Sequence, residues 1–403
     1  MPSLNSNCES NQKIVITKES GENNKSTSLV KNLDINRLYQ VHYLFAGKGE
    51  QAMSRFGHAM FRLVFCAPGH EKGPACLNDI AYHVVLSFRA NIQDLTMNYA
   101  KGINGEYPSQ LFFIPLTDVV DEYTKGEFRE VTSIPLKLNT DEMNRFVLRS
   151  EELFWSYKGK YYFFTNNCAT EAMNLLRIAV GDKDDIQTKN IVTPIGLYQY
   201  LIKINLADTS VLNDLVLAQS QGYYFPSVAQ KIINSLKMLG ISENDLLTFV
   251  KNNPAELRSK IYMKAINESS NSVKIAANAL RLEDLILHSE EIQFAKIMGT
   301  KLFGPDSDPR LKETVLGQRI SELQSLYAEL SPENFLVPAY GIPLESEFDT
   351  IPQDKIDDVY AKIKSYTEDL KSISSNFFPE QINELRGTML NRGNLLKTIA
   401  QSK

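Results

Sequence analysis

Long apolar runs are missing from this chain of 403 residues: Lys, Asp, Asn or Gln interrupts every hydrophobic stretch well short of the roughly 18 residues a membrane-spanning helix requires. No transmembrane segment is therefore expected. Charge of one sign is also scarce. The 43 Lys and Arg face 48 Asp and Glu, and the formal charge of -5 is spread along the sequence. No basic stripe is available to neutralise phosphates, which argues against nucleic acid as a partner. Cysteine is rare, four in all, and there is no second Cys pair at zinc spacing. Also absent are a phosphate-cradling Gly-rich loop ending in Lys-Ser/Thr, a dinucleotide fingerprint and a His-Glu-x-x-His pair. No metal or nucleotide cofactor is implied.

What remains is the composition of a globular protein, 43% hydrophobic and 23% charged, long enough for one large core or two ordinary ones. Residues 1–34 are rich in Ser, Asn, Lys and Glu and lack the apolar core of a secretory signal. They read as a flexible leader. The protein would be periplasmic or otherwise exported if a signal has been removed, and cytoplasmic if the chain is complete. Cys66 and Cys76 flank the Gly/Pro-rich loop APGHEKGPA between two strand-like segments. That loop suits either a disulfide of an exported protein or two reduced thiols. Cys8 falls in the leader.

The first strands are expected in RLYQVHYLFAG, SRFGHAMFRLVFCA and IAYHVVLSFRA, where β-branched and aromatic residues cluster. VVDEYTKGEFREVTSIPLKL reads as a short helix and a further strand. From Thr140, a candidate N-cap, the period becomes helical up to Gly159. The run YYFF at 161–164 then reads as a buried strand, and Asn166-Asn167-Cys168 forms a corner into a helix from Ala169 to Val180 that stops at Gly181. The corner matters because the free amides and positive dipole end of a helix favour the thiolate and can stabilise an oxyanion.

A Cys nucleophile also needs a base. Of the five histidines, His288 lies on an exposed helical segment, His70 in the Gly/Pro loop and His42 in VHYLFAG. His58 begins the strand HAMFRLVF after Gly57; alternation puts His58, Met60 and Arg62 on one face and Ala59, Phe61 and Leu63 on the other. His83 is read as mid-strand, where it would face or orient His58. A strand histidine is more often a hydrogen-bonded structural residue than a catalyst, and a Cys before a helix is more often inert.

Four segments in order across residues 37 to 180, SRFGHAMFRL, NGEYPSQLFFIPL, EYTKGEFREVTSIPLKLNTDEMNRFVL and YYFFTNNCATEAMNLL, resemble the bacterial family built on the periplasmic domain of Lnb, a lipoprotein N-acyltransferase. The order of His first and Cys second at a helix start also resembles circularly permuted papain-like (NlpC-like) thiol enzymes, including relatives of lecithin:retinol acyltransferase. The resemblance implies an α+β fold with an antiparallel sheet and helices, Cys168 as nucleophile, His58 as general base, and an S-acyl intermediate resolved by an amine or water. His83 is a weaker candidate third member. Asn166 and Asn167 would orient the imidazole or substrate, or simply cap the helix. Tyr107 would shape the site loop and Arg62 would bind substrate. Tyr123 and Arg129 also match the family pattern, with a packing and salt-bridge role equally open.

One departure stands out. The Lnb-type enzyme carries membrane-spanning helices after its thiol domain, and this chain continues instead through segments with apolar residues at helical spacing, from FPSVAQKIINSLKMLG to DKIDDVYAKIKSYTEDLKSI. ENFLVPAYGIPLESEFDTIPQD interrupts them as an extended excursion that would cover the site. The expected organisation is a leader at 1–34, a permuted papain-like thiol domain at 35–204 and a helical domain at 205–403. The functional alternatives are an acyltransferase resembling lipoprotein N-acyltransferase, a cysteine amidase or peptidase acting on cell-wall peptide or other amide bonds, and an inactive scaffold whose helical half binds a partner; lipoprotein, phospholipid or peptide are the substrates open to it. Peripheral membrane contact is compatible with the first.

Overall fold

The computed structural model describes residues 34–49, 55–90, 104–157, 159–163, 165–181, 191, 193–243, 245–303, 313–329 and 353–401. The leader at 1–33 with Cys8, and nearly all of the extended excursion at 333–354, lie outside them. The described residues divide into two compact units, 34–227 and 228–401.

The N-terminal unit is α+β. Its strands are β1 (Leu38–Ala46), β2 (His58–Phe65), β3 (Val84–Ala90), β4 (Pro108–Pro115), β5 (Val131–Pro135), β6 (Gly159–Lys160) and β7 (Tyr224–Phe225). They form one antiparallel sheet in the order β6-β4-β3-β2-β1-β5-β7. Alternation sends Val41, Tyr43 and Phe45 of β1, Ala59, Phe61 and Leu63 of β2, and Leu86 and Phe88 of β3 to one face. There they pack with residues of the Thr140–Ser156, Cys168–Val180 and Pro194–Lys203 helices. Phe61 meets Phe146 edge to face at 4.9 Å, and each such buried side chain contributes about 1.5–3 kcal/mol. The opposite face places Leu44, Met60, Val85 and Val131 against Leu116, Val119 and Tyr123. Because both faces are covered, β2 is buried nearly throughout, and its alternation sorts residues between two interiors.

Several expectations need correction. His83 precedes β3: a 3-10 turn over Ile80–Tyr82, closed by Tyr82 N–H to Asp79 O and His83 N–H to Ile80 O, delays the strand to Val84. Asn139 is the N-cap of the Thr140–Ser156 helix, in a capping box with Glu142, and the helix ends before Tyr157. The described part of the YYFF run, residues 161–163, is no strand: it makes only an isolated bridge between Tyr162 and Asn166. Cys66 and Cys76 are bonded as a disulfide, which settles the loop between them.

The second unit is helical, with helices at Ala229–Met238, Leu246–Asn252, Ala255–Glu268, Ser272–Phe303, Val315–Glu329, Gln353–Phe377 and Pro379–Gln401. Pro254 splits what read as one segment into two helices, since proline donates no N–H to a continuing helix. The last helix was hidden by Gly387 and Gly393, which lower helix propensity. Gly387 has a packing reason: a Cβ there would lie 2.5 Å from that of Ala255, so the absent side chain lets two helices approach closely. No described helix is long and apolar enough to cross a membrane.

Candidate active site

Cys168 is the first residue of its helix. Asn167 caps the helix by accepting from Ala169 N–H at 3.0 Å and Thr170 N–H at 3.3 Å, and its own Nδ2 donates to Phe163 O at 2.9 Å. Asn166 braces the same corner through Nδ2 to Lys160 O at 2.9 Å. Tyr157 donates to Glu171 beside it. Both asparagines thus build the corner, and Tyr107 holds its far side by accepting Tyr161 N–H at 2.9 Å.

The ladder between β2 and β3 runs from Leu63↔Val84 to Phe61↔Leu86, so the first residues of β2 carry no β3 partner in it. At that end, the Ala59 N–H, next in chain to His58, and the Tyr161 hydroxyl each act to lower the pKa of the Cys168 thiol. Burial nonetheless pushes the thiol's pKa up, against the lowering effect of Ala59, Tyr161 and the helix amides. Cys168 is only 4% exposed. The expected gain in thiolate at a helix start is outweighed here by the loss of water around the sulfur.

His58 opens β2 behind Gly57, whose φ of 82° lies in the left-handed region and whose Cβ position is filled by the Phe45 ring. The imidazole falls on the face opposite the Cys168 helix, with Met60, as alternation predicts. It stacks on Tyr123 at 6.0 Å, and Arg129 lies over the same tyrosine at 4.9 Å. His58 Nε2 is 2.9 Å from Ser87 Oγ, and Ser87 accepts from Arg89 Nε at 2.9 Å. Burial, then Arg89, then Arg129 hold His58 well below its usual pKa, so the ring is neutral. Among the described residues no hydrogen bond joins the His58 ring to the thiol.

His83 and Arg62 belong to a second cluster. Arg62 is fully buried and donates to His83 Nδ1 at 2.8 Å, Ser133 Oγ at 3.1 Å, Gly222 O at 2.5 Å and Leu77 O at 3.3 Å. His83 Nε2 then donates to Cys76 O at 2.9 Å. Ser133, accepting from Arg62, donates to His42 Nδ1 at 2.9 Å, and His42 Nε2 donates to Gln40 at 2.9 Å. Arg62 thus has its donors occupied inside the protein, and the geometry joins His83 to Arg62 and the disulfide loop rather than to Cys168. Sequence reasoning did not single out Ser87; a Ser between Leu86 and Phe88 in a strand carries no distinguishing signal. Among the described residues, no group of three or more His, Cys, Asp and Glu is placed to hold a metal ion.

The unit is α+β, with a buried thiol at a helix start and a histidine at the head of strand β2. Residues 26–203 match the family model of the Lnb N-terminal periplasmic domain. No curated protein and no solved structure matches the chain significantly.

Proposed function

We propose that the N-terminal unit is a cysteine-dependent acyltransferase of the cell envelope, with a permuted papain-like arrangement in which His58 precedes Cys168. The observation that carries this reading is a buried thiol at the first position of a helix, in a unit whose strand β2 opens on a histidine kept neutral and able to accept a proton. The resting pair is a neutral thiol and a neutral imidazole, so activation is general-base catalysis coupled to attack. To engage, the His58 ring must leave Ser87 and turn through the open end of the β2–β3 ladder to the face that holds the thiol.

His58 takes the thiol proton as sulfur bonds to the acyl carbon and the carbonyl electrons move to oxygen. Collapse of that intermediate breaks the acyl–oxygen bond of an ester donor, and the imidazolium protonates the departing alkoxide. An amine then attacks the thioester, His58 takes its proton, and the sulfur leaves and is reprotonated. The family points to a lipoprotein-related substrate and a periplasmic setting, which suits the Cys66–Cys76 disulfide. A second reading, an inactive scaffold, is favoured by the 4% exposure of Cys168.

The test incubates the full chain with phospholipid vesicles and follows its intact mass. A gain of one acyl chain, removed by neutral hydroxylamine and absent in Cys168→Ser, is expected, with loss of at least about 10²-fold in rate in His58→Ala. No adduct, together with a Cys168 alkylation rate indifferent to His58, would sink the enzyme reading.

A further inference from the structure

Three large apolar side chains in succession, Leu215, Val216 and Leu217, are 50%, 81% and 52% exposed. They open the Leu215–Ser220 helix, whose cap Asp214 accepts from Val216 N–H at 2.9 Å and Leu217 N–H at 3.1 Å. The next residue, Ala218, is fully buried, and its carbonyl accepts Tyr223 N–H at 2.8 Å. Tyr223 O in turn accepts Ser133 N–H of β5 at 2.7 Å, and at the other end Asp208 N–H donates to Pro135 O at 2.9 Å. Both ends of the excursion 208–223 are thus tied to β5. Its tip is held with the apolar side chains turned outward.

Successive residues of a helix point about 100° apart, so three in a row spread apolar surface over about 200° of arc. That is no stripe of the kind a single protein face covers. A medium that surrounds the tip covers it, and the apolar layer of a bilayer is such a medium. Charge points the same way. From Ile204 to Ser227 there is no Lys, Arg or Glu, and the two aspartates, Asp208 and Asp214, accept from Ser210 N–H and Val216 N–H as local caps. The tip therefore offers a partner protein no ion pair and anionic headgroups no cation, which leaves apolar transfer as its driving force. We propose that residues 215–217 insert into the surface of a lipid bilayer, about 5–10 Å deep, and hold the sheet unit against a membrane. This is independent of the chemistry assigned to Cys168.

The test floats the full chain with phosphatidylcholine vesicles on a density gradient. The parent should float equally at low and high salt, since no charge pairing is involved. Val216→Asp should bind the vesicles at least about tenfold more weakly, and replacement of Leu215, Val216 and Leu217 together by Ser about 10²-fold more weakly. Val216→Asp should keep the parent's melting temperature, because the side chain it replaces is 81% exposed. Val216→Trp adds a second tryptophan to the single Trp155 of the parent, and lipids with brominated acyl chains should quench the new one. A parent that stays with the unbound fraction would overturn the proposal, as would flotation that Val216→Asp leaves unchanged. Binding confined to anionic vesicles and lost in salt would replace apolar insertion by an electrostatic contact. A dimer in sedimentation that Val216→Asp dissolves, without flotation of the parent, would show that a second copy covers the tip instead.

Discussion

Each unit of the molecule buries one arginine completely, Arg62 in the sheet unit and Arg258 in the helical unit, and the two are compensated in opposite ways. Arg62 has no carboxylate among its partners: it donates to a histidine, a serine and two backbone carbonyls, and lies 5.9 Å from the centre of the Phe225 ring. Burial lowers its pKa to about 9. Arg258 is surrounded by carboxylates, with Glu283 at 2.7 Å, Glu384 at 2.8 Å and Glu290 at 3.4 Å, and its pKa is raised in spite of burial. Tyr262, Thr388 and Asn391 donate to Glu283 and Glu290 in turn. The difference teaches that a buried guanidinium can be held by neutral dipoles where the chain brings loops together, or by ions where helices supply long acidic side chains. The first arrangement ties β2 to loops at 77 and 222. The second ties together the 255–268, 272–303 and 379–401 helices.

The comparison can be broken by removing each cation. Arg258→Met should be the more damaging, since it leaves fully buried Glu283 and its neighbours without a counter-ion, a loss on the order of 3–5 kcal/mol. Faster hydrogen exchange throughout the 255–268 and 379–401 helices in the full chain would register it, and unchanged protection would refute the ionic account. Arg62→Met strands acceptors but no charge, so a smaller loss of roughly 2–3 kcal/mol is expected, read from exchange in β2 and β5. If Arg62→Met proved the costlier of the two, neutral compensation would be the stronger device and the comparison would be reversed.

The mildest test is one of pH. Three carboxylates around one guanidinium leave excess negative charge, and burial, with further help from Glu384 and Glu283, raises Glu290 to about 7. A carboxyl raised above its unfolded value binds its proton more tightly in the native state. Its stabilising contribution is therefore fully present below the unfolded pKa and is lost as pH rises through about 7. Between pH 5 and 8 the helical unit should lose about 2 kcal/mol that Glu290→Gln does not lose. Parallel pH profiles for the parent and this variant in denaturant unfolding would remove Glu290 from the account.

Much of the candidate site was legible because it depends on local rules. The strand His58–Phe65 and its two faces follow from alternation, and the Cys168–Val180 helix follows from its apolar spacing and Gly181. The reading went astray where local signals competed with long-range partners. YYFF has strand composition, yet its described residues 161–163 make only an isolated bridge, Tyr162 to Asn166. His83 lies in a stretch that looks extended, yet Arg62 and Cys76 O hold it outside β3.

The sequence by itself determined the alternation that separates His58 from Phe61, the absence of a long apolar span, and the placement of a thiol at a helix start, because each depends on neighbours only a few positions away. Only the tertiary structure decided that Cys168 is buried and its pKa raised, and that His58 rests on Ser87 and Tyr123. Those outcomes depend on desolvation and on hydrogen bonds between residues far apart in the chain. A side chain's chemistry in water does not contain them.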